Sequence, residues 1–291
     1  MSRHPSTVGG EEGVIQGHQL MAILITGRVV PITVTFPSMT GASSPQDVWI
    51  SMLLSTVATV PIALWIVHLG SCFPEKTIVE YSEILLGKVW GKLLSLGLIF
   101  YFISIAATTA RELGEAYTVA IMPETPILVF MVAMAFVGAN AARGGLEIVG
   151  RMAEIIMWLI FVFTVLVLTL PANFMQLENL KPILSKGLLS TATDAGTSLV
   201  IFMEIIVMGM IMPYLTRPGD AKRFSLYAIG IVGLMGAVFA VVLVAVFGVL
   251  ASSLSLPAFS LGRTISVSEF LERIEIIPMG AWTLSAGIKL A

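Results

Sequence analysis

At 291 residues, 57% of them hydrophobic and only 12% charged, the chain carries about half the charge of an ordinary soluble domain. Its mean hydropathy of +0.96 identifies an integral membrane protein. A net charge of -2 gives no basic field for nucleic acid, the single cysteine, Cys72, excludes an internal disulfide, and no spacing suggests a metal or cofactor site.

Residues 1–17 are polar and glycine-containing, without the pattern of a cleaved signal, and read as a tail. Residues 18–291 read as a single transmembrane domain. A spanning helix needs roughly 20 mostly apolar residues. Eight segments meet or approach that length: 18–40, 47–70, 93–117, 124–141, 151–171, 195–215, 224–251 and 269–291. Ser44-Pro45-Gln46-Asp47 supplies a capping serine and a first-turn proline to the second span, and Ser266 with Glu269 forms a capping box before the eighth. Between the second and third spans, Glu75 to Trp90 alternates apolar and charged residues at helical spacing, as expected of an amphipathic helix on the membrane surface. The stretch 173–194 reads as a long loop with a helical turn or two, and 252–268 as a connection with a short helix. Lysine and arginine are concentrated in the loops that share a side with the N-terminus, which places that terminus inside.

The first span is interrupted by Gly27-Arg28-Val29-Val30-Pro31. Arginine near a bilayer centre costs about 2.5–3.5 kcal/mol on insertion scales, so it either snorkels to an interface or faces a cavity. The sixth span carries Glu204 at its middle, then Gly209 and Pro213. Paired interruptions at matching places in two halves point to an inverted repeat with a midplane site. The expected fold is therefore all-α: a polytopic helical bundle of the five-plus-five inverted-repeat transporter type, with broken first and sixth helices. Its first repeat covers about 18–171 and its second about 195–291. Because the sequence stops while the eighth span is still running, the chain reads either as truncated after that span or as having an incomplete second repeat.

Thr26, Gly27, Arg28 and Val29 are candidates to hold a ligand carboxylate, using helix N–H groups and the guanidinium. Glu204 can accept a ligand ammonium, pair with Arg28, or be protonated by desolvation. Phe202 and Met203 are candidate apolar walls, and Tyr101 a further one from the third span. Arg111, Glu112 and Glu115 read either as an interfacial ion pair, since Arg111 and Glu115 are one turn apart, or as an outer gate or water path. Arg143, Glu147, Arg151 and Glu154 form a stripe that suits an internal network or a docking face. Glu269, Glu272, Arg273 and Glu275 suit the start of the eighth helix. No nucleophile elbow, phosphate loop or activated cysteine is present in the sequence, so an enzyme is not expected.

Three stretches carry a family resemblance: Ser44-Pro45-Gln46-Asp47-Val48-Trp49, the run from Ala142-Arg143-Gly144-Gly145-Leu146-Glu147 to Glu154, and Leu256-Pro257-Ala258-Phe259-Ser260-Leu261-Gly262-Arg263 through Phe270 to Glu275. In these the chain resembles the B subunit of bacterial spore germinant receptors, within the amino acid, polyamine and organocation transporter superfamily. The resemblance implies the five-plus-five fold and a sensor in the inner membrane of a spore. It also implies partnership with an A subunit and a lipoprotein C subunit, and a small amino acid as ligand. An ion-coupled amino acid permease of the same superfamily is the alternative.

Overall fold

A computed structural model describes residues 15–35, 44–264 and 276–291. Helix α1 (Gly17–Val30) continues into a widened π turn at Pro31–Thr35. A 3-10 turn at Pro45–Asp47 leads into α2 (Val48–Cys72), followed by α3 (Ile78–Ala120), α4 (Ile127–Arg143) and α5 (Leu146–Thr169). The sixth span is composite: α6 (Leu188–Phe202), a 3-10 segment at Met203–Val207, the short α7 (Met208–Ile211) and a second 3-10 turn at Met212–Tyr214. Helices α8 (Asp220–Phe247), α9 (Pro257–Thr264) and α10 (Ile276–Leu290) complete the described chain. Five of these segments are long and apolar enough to cross a membrane, and the protein is a multi-pass integral membrane protein.

The amphipathic stretch after α2 is the first part of α3. Thr77 and Glu80 form a capping box, with the Thr77 N–H donating to the Glu80 carboxylate at 2.7 Å. Gly87, at φ 79 and ψ 166, then turns the chain before the long apolar run begins. That backbone conformation is essentially restricted to glycine. Leu85, Leu86, Val89 and Trp90 around the turn are exposed, as suits a surface in contact with lipid.

The sixth span starts at Leu188, two turns before its expected beginning at 195. Ser190 to Asp194 are small and polar and so read as loop. They are held helical by packing against α2, where Ser51 Oγ donates to the Thr191 carbonyl at 3.1 Å and Ser55 Oγ to that of Ala195 at 2.7 Å. In an apolar medium such hydroxyls find their partners on a neighbouring helix. The start of the eighth span, with Ser266, Glu269, Glu272, Arg273 and Glu275, lies outside the described residues.

Two apolar cores organise the bundle. One joins α1, α2, the composite sixth span and α8, through Leu24, Met52, Phe202, Met208 and Val232. The other joins α1, α3, α5, the far end of α8, α9 and α10, through Val30, Leu113, Ile160, Leu243, Leu261 and Trp282. Helix α8 is central and α3 peripheral: 61% of the most apolar stretch of the α8 span is buried, against 17% for α3. Helix α1 belongs to both cores. Its start is fixed by the Ile15 N–H donating to the Tyr214 carbonyl at 3.0 Å and the Thr216 N–H donating to that of Ile15 at 2.9 Å. His18 Nε2 lies 2.8 Å from Glu154 Oε1 on α5.

Candidate functional site

The two interruptions share a sequence spacing, with a glycine four residues ahead of a proline: Gly27 and Pro31 in α1, Gly209 and Pro213 in the sixth span. Proline has no N–H, so the carbonyl four residues earlier loses its ordinary helical donor. Neither interruption opens into coil. After Pro31 the chain widens into the π turn, whereas around Glu204 it tightens into 3-10 winding. Changes of winding inside a helix commonly mark functional sites. Gly27 to Val29 thus remain within α1, where the free helix-start N–H groups expected from an open break do not arise.

The altered winding brings together side chains that are far apart in sequence. Arg28 Nη1 lies 2.9 Å from Glu204 Oε2, and Lys289 Nζ on α10 lies 2.8 Å from Glu204 Oε1. Arg28 is buried and the other two largely so, with side-chain exposures of 6% for Arg28, 15% for Glu204 and 8% for Lys289. One carboxylate is therefore shared by two cations. Ions removed from water are tolerated only in such close, hydrogen-bonded company.

Beside this triad lies a cavity of about 280 Å³. Ile23, Gly27 and Arg28 of α1 form one wall, and Glu204, Val207 and Ile211 of the sixth span another. Phe102 and Ile105 of α3, the turn from Ala142 to Val149, and Ile288 with Lys289 close the remainder. Gly27 leaves open space: a Cβ built there meets no atom within 4 Å. The site therefore offers two cationic groups and one anionic group on an otherwise apolar surface, which suits a small ligand bearing both charge signs.

Of the residues singled out in the sequence, Gly27, Arg28 and Glu204 meet in this cavity. Thr26 is buried beside it; its hydroxyl donates to the Ala22 carbonyl at 2.8 Å and its own carbonyl accepts from Ser285 on α10. Val29 faces a smaller apolar void shared with Phe163 and Trp282, and Phe202 packs with Leu24 and Ile229 behind Arg28. Met203 is half-buried in the 3-10 segment. Tyr101 is half-buried against Phe102, the neighbour that reaches the cavity. Arg111 and Glu115 form an exposed ion pair of 2.8 Å, while the half-buried Glu112 lies within the fields of Lys289 and Glu204. In the α5 stripe, Arg151 pairs with Glu147, and Glu154 is tied to His18 and, at 3.5 Å, to Gln19.

Lys289 is the site residue that sequence reasoning missed. In the sequence it counts as one of the charges on the inner side, and its pairing with Glu204 is visible only in three dimensions. Among the described residues no group of three or more His, Cys, Asp or Glu side chains is placed to hold a metal ion.

A family model described as spore germination protein matches residues 15–291. The chain is 29% identical over 258 residues to spore germination protein KB of Bacillus subtilis (strain 168), covering 86% of this chain and 69% of that protein. It is 24% identical over 215 residues to spore germination protein YndE of the same organism, covering 74% of this chain and 59% of that one. With spore germination protein B2, also from that organism, it shares 23% identity over 267 residues, 90% of this chain and 72% of the relative.

Proposed function

The chain belongs to the spore germination protein family, and from that membership we propose that it is the B-type membrane subunit of a germinant receptor, binding a small amino acid beside Arg28, Glu204 and Lys289. The observation that carries this reading is the juxtaposition of a buried triad of mixed charge with a cavity of about 280 Å³. Small-molecule sites span about 300–1,000 Å³, so a space at the lower limit suits a ligand of few atoms. An α-amino acid presents one carboxylate and one ammonium to the charged wall, and its side chain meets the apolar remainder.

Signalling requires the ligand to bind two arrangements of the bundle with different affinity, because equal affinity shifts nothing. The cavity lies where the two apolar cores meet, so a ligand there bears on their relative position. The shift passes to an A subunit and a lipoprotein C subunit in the inner membrane of the spore. Full-length protein in proteoliposomes tests the reading with tritiated glycine, L-alanine and L-valine. Saturable binding without net uptake supports the sensor. Uptake driven by an ion gradient would make the protein a carrier, and no binding would refute the site.

A further inference from the structure

Glu204 has no vacant oxygen. Arg28 occupies Oε2 at 2.9 Å and Lys289 occupies Oε1 at 2.8 Å. Each oxygen keeps a free lone pair, but a ligand ammonium there crowds against a resident cation, so it binds best by displacing one of the two. Arg28 is the harder to displace: it lies on α1 and packs with Phe202 and Leu24 in the same core as the composite sixth span. Lys289 comes from α10, whose buried residues Met279, Trp282 and Ile288 belong to the opposite core. Its flexible stem lines the cavity next to Ile288.

Resting on the reading of this cavity as an amino acid site, we propose that Lys289 is an internal competitor for Glu204 and that the ligand binds by inserting into the Glu204–Lys289 ion pair. The ligand ammonium takes the place of Lys289 Nζ at Oε1, and the ligand carboxylate receives the displaced Lys289 ammonium. One ion pair becomes two, and no buried charge is left without a partner. A ligand with only one of these charges cannot complete the exchange. An amine alone displaces Lys289 and leaves it without an anion, which is strongly unfavourable in a buried site, whereas a carboxylate alone can pair with Lys289 while Glu204 keeps Arg28 but gains no ammonium at Oε1. Glu112 lies within the field of Lys289, but no ion pair joins the two among the described residues.

Insertion also supplies a signal. Glu204 sits in a 3-10 segment between α6 and α7, and 3-10 winding has poorer hydrogen-bond geometry than α-helix. Separating Glu204 from Lys289 by one ligand therefore moves this segment against α10, across the boundary between the two cores.

The experiment uses full-length wild-type protein and Lys289→Met in proteoliposomes. Tritiated glycine, L-alanine and L-valine are tested in turn, with the deamino and decarboxy analogue of each as competitors. For the amino acid that binds, the decarboxy amine should compete at least about a hundredfold more weakly in the wild type, and the deamino acid, which keeps only the Lys289 contact, at least about tenfold more weakly. In Lys289→Met the amino acid should weaken at least about tenfold while the decarboxy amine strengthens at least about tenfold, since its competitor is gone. A mere structural defect would weaken both. The monodisperse fraction of each solubilised protein serves as the folding control. Equal amino acid binding by wild type and Lys289→Met, or amine competition in the wild type within about threefold of the amino acid, would overturn insertion and leave the cavity reading intact. No saturable binding of any of the three to the wild type would remove the cavity reading and insertion together.

Discussion

Replacing Glu204 with glutamine preserves the shape of the side chain but leaves two buried cations facing a neutral amide. Arg28 and Lys289 have side-chain exposures of only 6% and 8%, so water cannot readily compensate. Breaking a buried ion pair by removing one partner costs about 3–5 kcal/mol. The two pairs share one anion and glutamine keeps one carbonyl acceptor, which argues for the lower end, about 3 kcal/mol. At about 2–4 °C per kcal/mol for a large domain, Glu204→Gln should melt about 6–12 °C below wild type. The assay is the monodisperse fraction of detergent-solubilised full-length protein that survives a temperature series. The variant Arg28→Met/Glu204→Gln/Lys289→Met should recover most of the loss, because apolar replacement of a buried ion cluster is often neutral or stabilising. A single Glu204→Gln variant that melts within about 1 °C of wild type would refute the claim that the triad is a buried, mutually dependent unit.

Three further substitutions test the surrounding fold. A Cβ at Gly233 would lie 2.1 Å from Thr56 Oγ1 and 2.5 Å from its Cγ2, so Gly233→Leu should drive α8 from α2 and cost at least about 1–3 kcal/mol, read as a lower Tm. Ser55→Ala removes the 2.7 Å bond to the Ala195 carbonyl; a loss of about 1 kcal/mol is expected, with a Tm lower by about 2–4 °C. Gly87→Ala forces a side chain onto a backbone at φ 79 and should cost about 1–3 kcal/mol. In hydrogen exchange its effect should be confined to faster exchange around residues 78–90.

The five long apolar segments could be read from the sequence because the bilayer imposes one rule, about 20 apolar residues in helical form. Where the reading departs from the structure, a contact decides. The first two turns of α6 look like loop, yet α2 holds them helical through Ser51 and Ser55. Arg28 and Glu204 stand out because charge inside an apolar run is costly, but their partnership spans 176 residues and has no local signature. Lys289 carries no local sign of a partner on the sixth span. The glycine–proline pairs mark where winding changes. That one widens to π and the other tightens to 3-10 depends on the packing around each.

The central claim, that a small amino acid occupies the cavity beside the triad, is tested most directly by filling that cavity from α1. Gly27 borders it with no atom within 4 Å of a Cβ, so Gly27→Phe places a ring in the space without disturbing a packed neighbour. Full-length wild-type and Gly27→Phe proteins are compared for tritiated amino acid binding and for Tm. The account predicts that the variant melts within a few degrees of wild type, about 1 kcal/mol or less, yet loses at least about a hundredfold in affinity. Undiminished binding by a folded Gly27→Phe protein would contradict it.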